Sequence, residues 1–504
     1  MERREPCTAS DAGDDARLTV QVDDLLDPPQ KFCVDDRSMH KCLARCDLPA
    51  NMHHRKSRTS ACTARGAIEA TRRNNHCVLR SQAARGALDG AGEQGLIDRM
   101  NIGILRMDGW NLRRGGGLRN FLGYIEDACG SHRLLHRRFR LPKDVELETI
   151  GAAAHPLWAG PAGWQTACHN KSVLDAILTS DPYPVRGMYV SGVNIAVMYP
   201  DTRRTLEALR SLDFLCVAAH TMTPTAAVAD LVLPKTTTLE EEEVDVSQTG
   251  ACVTYTAPAS ARIGEVRCDM EIASGLIARM RDRGALTAEL LPWRNQADFN
   301  RFMIGDAPID QVALRRDGFV EFPYELGNFS AQVFRTPSGK IELYSSTLAK
   351  LGLDPLPDHV TPLYERATAL VSADFPLVLQ TGQREKTYHH SRFREQSWAR
   401  KVSPDPTIRI HPETAAKQGL VDGAWIIVET EAGPAPCRLR AEITDRTAPN
   451  VVTTGIGWWR PEAVGPEFAA LDININAALT YAGPMDPMSG SVDTRALPCR
   501  LLVA

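Results

Sequence analysis

The stretch RGMYVSGVNIAVMYPDTRRTLEALRSLDFLCVAAHTMTPTAAVADLVLP, residues 186–234, alternates between two hydrophobic periods. Arg186–Val190 is a short apolar run that ends in Ser191-Gly192-Val193-Asn194. Thr202–Leu212 then sets Thr205, Leu206, Leu209 and Leu212 at helical spacing. Phe214–Ala218 is a second apolar run, and Leu231–Leu233 a third, stopped by Pro234. Between them Thr223-Pro224 predicts a short helix through Ala229, with proline in its first turn. Strand, helix, strand, helix, strand at this spacing predicts an α/β doubly wound central domain around a parallel sheet. Ligands of such sheets sit beyond the carboxyl ends of the strands. Gly192, Asn194, His220, Thr221 and Thr223 fall at those ends, although an ordinary β–α turn accounts for G-x-N equally well.

Working outward, Ser172–Leu178 reads as a helix, Gly264–Gly284 as another and Phe334–Tyr344 as a hairpin. Glu240–Glu243 reads as a solvated helix start and not as a metal site. Leu353–Pro362 is Pro-rich and reads as a linker. From Phe375 onward short strands dominate and predict a β-barrel. Thr407–Ile410, Trp425–Glu429 and Cys437–Ile443 are strands, and His411–Gln418 is a helix with Pro412 in its first turn and Gly419 at its end. At the barrel's start, the apolar run before Thr381 opens into TGQREKTYHHSRFRE, residues 381–395, a cluster of Gly, Arg, His and Ser. Arg384 and the hydroxyls suit a phosphate, and backbone N–H groups around Gly382 can form an anion-binding nest. Near the end, Trp458-Trp459 precedes Asp472-Ile473-Asn474-Ile475-Asn476, a polar run suited to ligand recognition.

With 504 residues the chain is long enough for several domains, and a net charge of -4 gives no reason to expect a nucleic-acid surface. No apolar run of ~18 residues is present, so no transmembrane segment is expected. Arg3-Arg4 is not followed by an apolar region, so a cytoplasmic location is expected, and the 13 scattered cysteines read as free thiols or metal ligands. Residues 28–85 over-use Arg, Cys, His and Ser without apolar periodicity, a composition no core can use. His40, Cys42, Cys46, His53 and His54 do not make a standard zinc spacing.

These residues together resemble the molybdopterin oxidoreductases of the dimethyl sulfoxide reductase type. The resemblance rests on six stretches in the family's order: PYPVRGMYVSGVN (182–194), LDFLCVAAHTMTPTAAVADLVLPKTTTLEEEEV (212–244), TPSGKIELYS (336–345), FPLVLQTGQREKTYHHSRFRE (375–395), IRIHPETAAKQGLVDGAWIIVETEAG (408–433) and the GWWRPE to DININAALTYAGPMDPMSG end (457–490). Together they span roughly residues 171–504. MTPTA and the paired tryptophans are most similar to the branch of acetylene hydratase and the thiosulfate and polysulfide reductases. The resemblance implies molybdenum bis(molybdopterin guanine dinucleotide) as cofactor, oxygen-atom or electron transfer on a small-molecule substrate, and an iron–sulfur electron-transfer subunit as partner. It implies a double-psi fold for the barrel. It places Gly192, Asn194, His220, Thr221 and Asp230 in a central cofactor site. It places Thr381, Gly382, Gln383, Arg384, His389, His390, Ser391, Asn474 and Asn476 in a C-terminal one.

The pattern breaks at the N-terminus. The family's C-x2-C-x3-C, which holds a [4Fe–4S] cluster, falls on Ala9, Ala12 and Ala16 before the strand-like RLTVQVDD. Cys7 is out of register, so no cluster is expected there. The region carrying the family's metal ligand has no counterpart, and no residue here is assigned that role. Ala219 and Gln383 stand where relatives often carry Asp and Arg. The expected layout is therefore a degenerate remnant (1–100), an irregular connection (101–170), the central α/β domain (171–350), a linker (351–374) and the dinucleotide-binding barrel (375–504). The readings that remain beside an oxidoreductase subunit are a non-redox hydratase-like lyase and an inactive cofactor-binding remnant.

Overall fold

The structure is a computed structural model that describes residues 141–161, 167–246, 252–286, 291–304, 309–321, 344–356, 363–482, 485, 490–492 and 494–504. The hairpin expected at Phe334–Tyr344, the N-terminal cluster positions and the zinc-like residues lie outside the described residues, apart from Tyr344. Residues 87–274 and 291–504 belong to one compact unit, and the sites below lie within it. Residues 275–290 group with 1–86, and of these the structure describes the second half of one helix and the turn after it.

After α1 (Lys143–Leu147) and α2 (Asn170–Thr179), the chain builds a parallel sheet from β1 (Gly187–Ser191), β2 (Phe214–Ala219) and β3 (Leu231–Pro234), in that order. Between the first two strands lie α3 (Ile195–Met198) and α4 (Thr202–Ser211). Leu215–Ala218 are all buried, as a strand covered on both faces requires. The Asp201 side chain caps α4 by accepting the Arg204 N–H (3.0 Å). Leu206 and Leu209 of α4 are buried to 1% exposure, each worth about 1.5–3 kcal/mol.

The expected helix from Thr223 to Ala229 is only a 3-10 turn, Ala226–Val228. Thr225 explains this: its hydroxyl donates to Asn194 Oδ1 (2.6 Å) and accepts the Ala196 N–H (3.0 Å), which ties the segment to the start of α3.

Glu240–Glu243 does not start a helix. Glu240 accepts the Thr237 N–H (2.8 Å) in a turn, and Glu243 opens a strand. The period-two pattern of Glu243-Val244-Asp245-Val246 accounts for it. β4 (Glu243–Val246), β5 (Cys252–Thr256) and a later β6 (Phe319–Glu321) form a small antiparallel sheet.

α5 (Asp269–Asp282) starts five residues later than Gly264. Its entry is set where the Glu271 carboxylate accepts the Cys268 N–H (2.9 Å). α6 (Gln296–Ile304), α7 (Gln311–Asp317), α8 (Ser346–Lys350) and α9 (Leu363–Leu370) follow. The last of these falls inside the stretch expected to be a linker. Ala367 packs there against Val378 and Val451, which holds α9 on the barrel.

The final part is a closed barrel of six strands: β7 (Leu377–Thr381), β8 (Thr407–Ile410), β9 (Trp425–Thr430), β10 (Cys437–Ile443), β11 (Val451–Thr454) and β12 (Leu497–Val503). Around it the order is β10-β8-β11-β7-β12-β9. The pairs β10–β8 and β11–β7 are parallel, and the other four are antiparallel. Every second residue of β9, namely Ile426, Val428 and Thr430, points inward. Leu379, Ile408, Ile410, Leu439 and Val452 complete the core with them. Two more helices, α10 (Ser397–Val402) and α11 (Pro412–Gln418), and a last short one, α12 (Ala470–Ile473), decorate the barrel. No helix among the described residues is long and apolar enough to cross a membrane.

Candidate cofactor site

Two groups of residues stand at strand ends. At the carboxyl edge of the parallel sheet, Gly192 is exposed in the turn after β1, and His220 is exposed beyond β2 with Nδ1 on the Lys235 carbonyl (3.2 Å). Thr221 follows it, half-buried. Ser191 Oγ donates to Asp269 Oδ1 (2.6 Å), and Lys235 ion-pairs with the same carboxylate. Asn194 is buried, and its amide nitrogen has no hydrogen-bond partner among the described residues. Asp230 is placed elsewhere. It lies at the start of β3, where its carboxylate accepts the Leu215 N–H (2.7 Å), so it ties β3 to β2 at the amino end of the sheet.

The second group encloses a cavity of about 370 Å³ at the carboxyl end of β7. Thr381, Gly382, Gln383, Arg384, His390 and Asn476 all line it. Met198, the last residue of α3, and Pro200, just beyond it, also line it, so the α/β domain and the barrel both contribute walls. Thr381 is buried, with its hydroxyl on the Thr494 carbonyl (2.8 Å). Gly382 has φ +89, and no atom lies within 4 Å of where a Cβ would stand. The backbone there is free to meet a ligand closely, and any other residue would be strained. Gln383 donates its N–H to the Thr454 carbonyl (3.0 Å), while its side-chain oxygen accepts from Thr453 Oγ1 (3.0 Å). Arg384 Nη1 reaches His390 Nε2 (3.0 Å). Burial, then Arg384, then His389 lower the His390 pKa, which favours the neutral imidazole.

The remaining expected residues hold the cavity's frame. His389 is exposed, its ring 4.7 Å from that of His390. Ser391 is buried, and its carbonyl accepts the Trp459 indole N–H (2.9 Å). Asn474 is fully buried. Its Oδ1 accepts the Gly457 N–H (3.1 Å), and its Nδ2 donates to the Val197 carbonyl (2.9 Å). Asn476 Nδ2 donates to the same carbonyl (2.9 Å). The two asparagines thus clamp the segment after β11 to α3.

Glu385, Tyr388 and Arg394, which sequence reasoning passed over, also line the cavity. Arg394 is 1% exposed, and its guanidinium sits 3.8 and 3.7 Å from the ring centres of Tyr388 and Trp458, in the corner those two edge-to-face rings form. Its Nη2 donates to the His390 carbonyl (3.1 Å), whereas Nε and Nη1 have no hydrogen-bond partner among the described residues. Burial pushes the Arg394 pKa down to about 10, so it stays charged at neutral pH. Beside it, Glu385 accepts the Trp458 indole N–H (2.8 Å) on Oε1, and its Oε2 lies 3.7 Å from Arg394 Nη1. Burial raises the Glu385 pKa against the opposing charge of Arg394. Nothing in the alternation of Arg392, Arg394 and Glu395 marks Arg394 as the buried one. Only its place in the TGQR stretch pointed to the loop.

The cavity is thus basic, with Arg384, Arg394, Arg495 and His390 against one carboxyl, and it offers donors to an anionic or carbonyl-rich group. A phosphate or the polar edge of a pterin fits that donor set. Among the described residues no group of three His, Cys, Asp or Glu side chains could hold a metal ion.

Comparison with known proteins agrees with that donor set. The sequence pattern of the family "Molybdopterin oxidoreductase" matches residues 120–279, and that of the "Molydopterin dinucleotide binding domain" matches residues 377–498. Acetylene hydratase of Syntrophotalea acetylenica is 31% identical over 300 residues, covering 58% of this chain and 40% of the relative. The molybdopterin-containing subunit of thiosulfate reductase of Salmonella typhimurium is 24% identical over 354 residues, covering 64% and 44%. The solved structure of acetylene hydratase from Pelobacter acetylenicus superposes with a TM-score of 0.64 at 24% identity, over 72% of this chain and 53% of that one, and shares the fold. The chain spans less than half the length of the two curated relatives named. With both family patterns placed on the sheet and the barrel that wall the cavity, the chain belongs to the molybdopterin oxidoreductases of the dimethyl sulfoxide reductase family and is related to the acetylene hydratase and thiosulfate reductase branch.

Proposed function

We propose that this chain binds molybdenum bis(molybdopterin guanine dinucleotide) and acts as the catalytic subunit, or part of one, of a molybdopterin-dependent oxidoreductase. The observation that carries this is the cavity at the end of β7, where a buried, ring-stacked guanidinium keeps donors without partners. When bound, the cofactor supplies a molybdenum centre for oxygen-atom or electron transfer. The chain's own residues bind and orient it. Thr381, Gly382, Gln383, Arg384, His390 and Asn476 line one arm of the cradle, while His389, Ser391 and Asn474 shape its wall. Gly192, Asn194, His220 and Thr221 form the other arm at the sheet edge, with the unpartnered Asn194 amide as its buried donor.

The wider assignment follows the same logic. Residues 171–350 make the central domain and 375–504 the dinucleotide-binding one. The two parallel pairs in the closed barrel support a double-psi connection. An iron–sulfur subunit exchanges electrons with the centre, and no cluster is assigned to this chain. Cys168, Cys216, Cys268, Cys437 and Cys499 are free thiols, which suits a reducing, cytoplasmic setting.

Hydration without redox change is the second reading, favoured by the 31% identity to acetylene hydratase. An assay with a reduced viologen dye separates the two. Dye oxidation driven by thiosulfate, polysulfide or an S-oxide is the expected result. Hydration of an alkyne with no dye oxidation would transfer the assignment to the lyase.

A further inference from the structure

We propose that anion binding in the cavity is coupled to a proton: an anionic group seated beside Arg394 is bound together with one proton, which Glu385 takes up. This rests on reading the cavity as the phosphate-binding part of a cofactor cradle.

The argument starts from how Glu385 is held. Its Oε1 is fixed by the Trp458 indole N–H (2.8 Å), while Oε2 has no hydrogen-bond donor among the described residues. The adjacent backbone is close, since a Cβ on Gly455 would stand 3.0 Å from Oε1. The carboxyl therefore has little room to turn toward water. Arg394 Nη1 stays 3.7 Å from Oε2, with the guanidinium resting in the corner formed by the edge-to-face Tyr388 and Trp458 rings and its Nη2 on the His390 carbonyl.

Opposing influences act on the carboxyl, and the net effect raises its pKa. Arg394 within the loop and Arg409 from β8 favour its ionised form, as does the Trp458 hydrogen bond. Burial and Glu442 from β10 favour the neutral form, and burial is the largest influence. Tyr388 packs on the same guanidinium, and Arg384, Arg495 and His390 face the cavity. An anion entering the cavity adds a negative charge near Glu385 and draws on the field of Arg394. Both effects favour the neutral carboxyl. The proton comes from solvent and is released when the anion leaves. Affinity should then rise as pH falls, by up to about tenfold per pH unit for one linked proton.

His390 is the competing proton acceptor, since it also lines the cavity. Its Nε2 is already engaged by the Arg384 guanidinium (3.0 Å), which opposes protonation.

The test is calorimetric titration of the full chain, produced without cofactor, with inorganic pyrophosphate in two buffers of different ionisation enthalpy. Wild type, Glu385→Gln and His390→Gln are compared, so that the ligand's own protonation cancels in the differences. Uptake of about one proton more by wild type and His390→Gln than by Glu385→Gln is expected. Equal uptake in wild type and Glu385→Gln, or loss of uptake only in His390→Gln, overturns the coupling and leaves the anion site standing. No pyrophosphate binding by wild type overturns the cradle reading and the coupling together.

Discussion

Trp458→Ala is expected to lower the stability of the chain by about 3–5 kcal/mol, the range for truncating a large buried aromatic. Trp458 is 1% exposed and packs with Tyr388, Ala399 and Ile473. Its ring lies against the Arg394 guanidinium and edge-to-face with Tyr388, and its N–H holds Glu385. Truncation opens a cavity and leaves a buried carboxyl with one oxygen fewer satisfied. Trp459 tests the specificity of the effect. It is equally buried, but it packs on Val197 and Ala470 and bonds the Ser391 carbonyl. Urea denaturation of both variants should show comparable losses of stability. Only Trp458→Ala should also lose the proton linkage of the cavity. A loss below about 1 kcal/mol for Trp458→Ala would contradict the packing described here.

The second large effect belongs to Arg394. Replacing it by Met keeps much of the volume between the two rings and removes the charge. Removing one partner of a buried ion pair costs about 3–5 kcal/mol when the other stays charged. Here Glu385 can take a proton instead, so the cost should depend on pH. In wild type the folded-state pKa of Glu385 is already raised, so the native state keeps its proton to higher pH than the unfolded chain. That contribution is lost as pH rises from the unfolded value through the folded one. Without Arg394 the folded value rises further and the loss becomes steeper. Arg394→Met should therefore be only mildly destabilised under acidic conditions and strongly destabilised at neutral and alkaline pH. Adding Glu385→Gln should remove that slope. A pH-independent cost in Arg394→Met would mean that Glu385 does not sense Arg394.

Local chemistry made parts of this fold legible in the sequence. β8 and β10 run over the residues expected, and α11 lies between His411 as its cap and Gly419, in the left-handed conformation, as its stop. Caps, proline and glycine act within a few residues, so sequence alone reveals them. β12 escaped because Leu497–Val503 contains Pro498 and lacks clean alternation; it is a strand because β7 and β9 close the barrel around it. The small sheet escaped because a run of glutamates, 240–243, masks the start of its first strand and its last strand has three residues.

The site divides the same way. The Gly382 loop could be found because glycine and basic residues crowd the end of an apolar strand. Asn474 and Asn476 looked like ligand contacts, yet each gives its amide to the Val197 carbonyl, a long-range contact that periodicity cannot encode. Arg394 and Glu385 were not singled out in the sequence. Only the tertiary fold, which sets two aromatic rings on the guanidinium, buries them.

The most direct test of the central claim is the molybdenum and guanine-nucleotide content of the full chain purified without oxygen. The account predicts about one molybdenum per chain, with guanosine monophosphate released on acid treatment and little iron. Protein that carries neither molybdenum nor guanine nucleotide, from a host that loads other enzymes of this family, would contradict it. The chain would then keep the family's cradle without its catalyst.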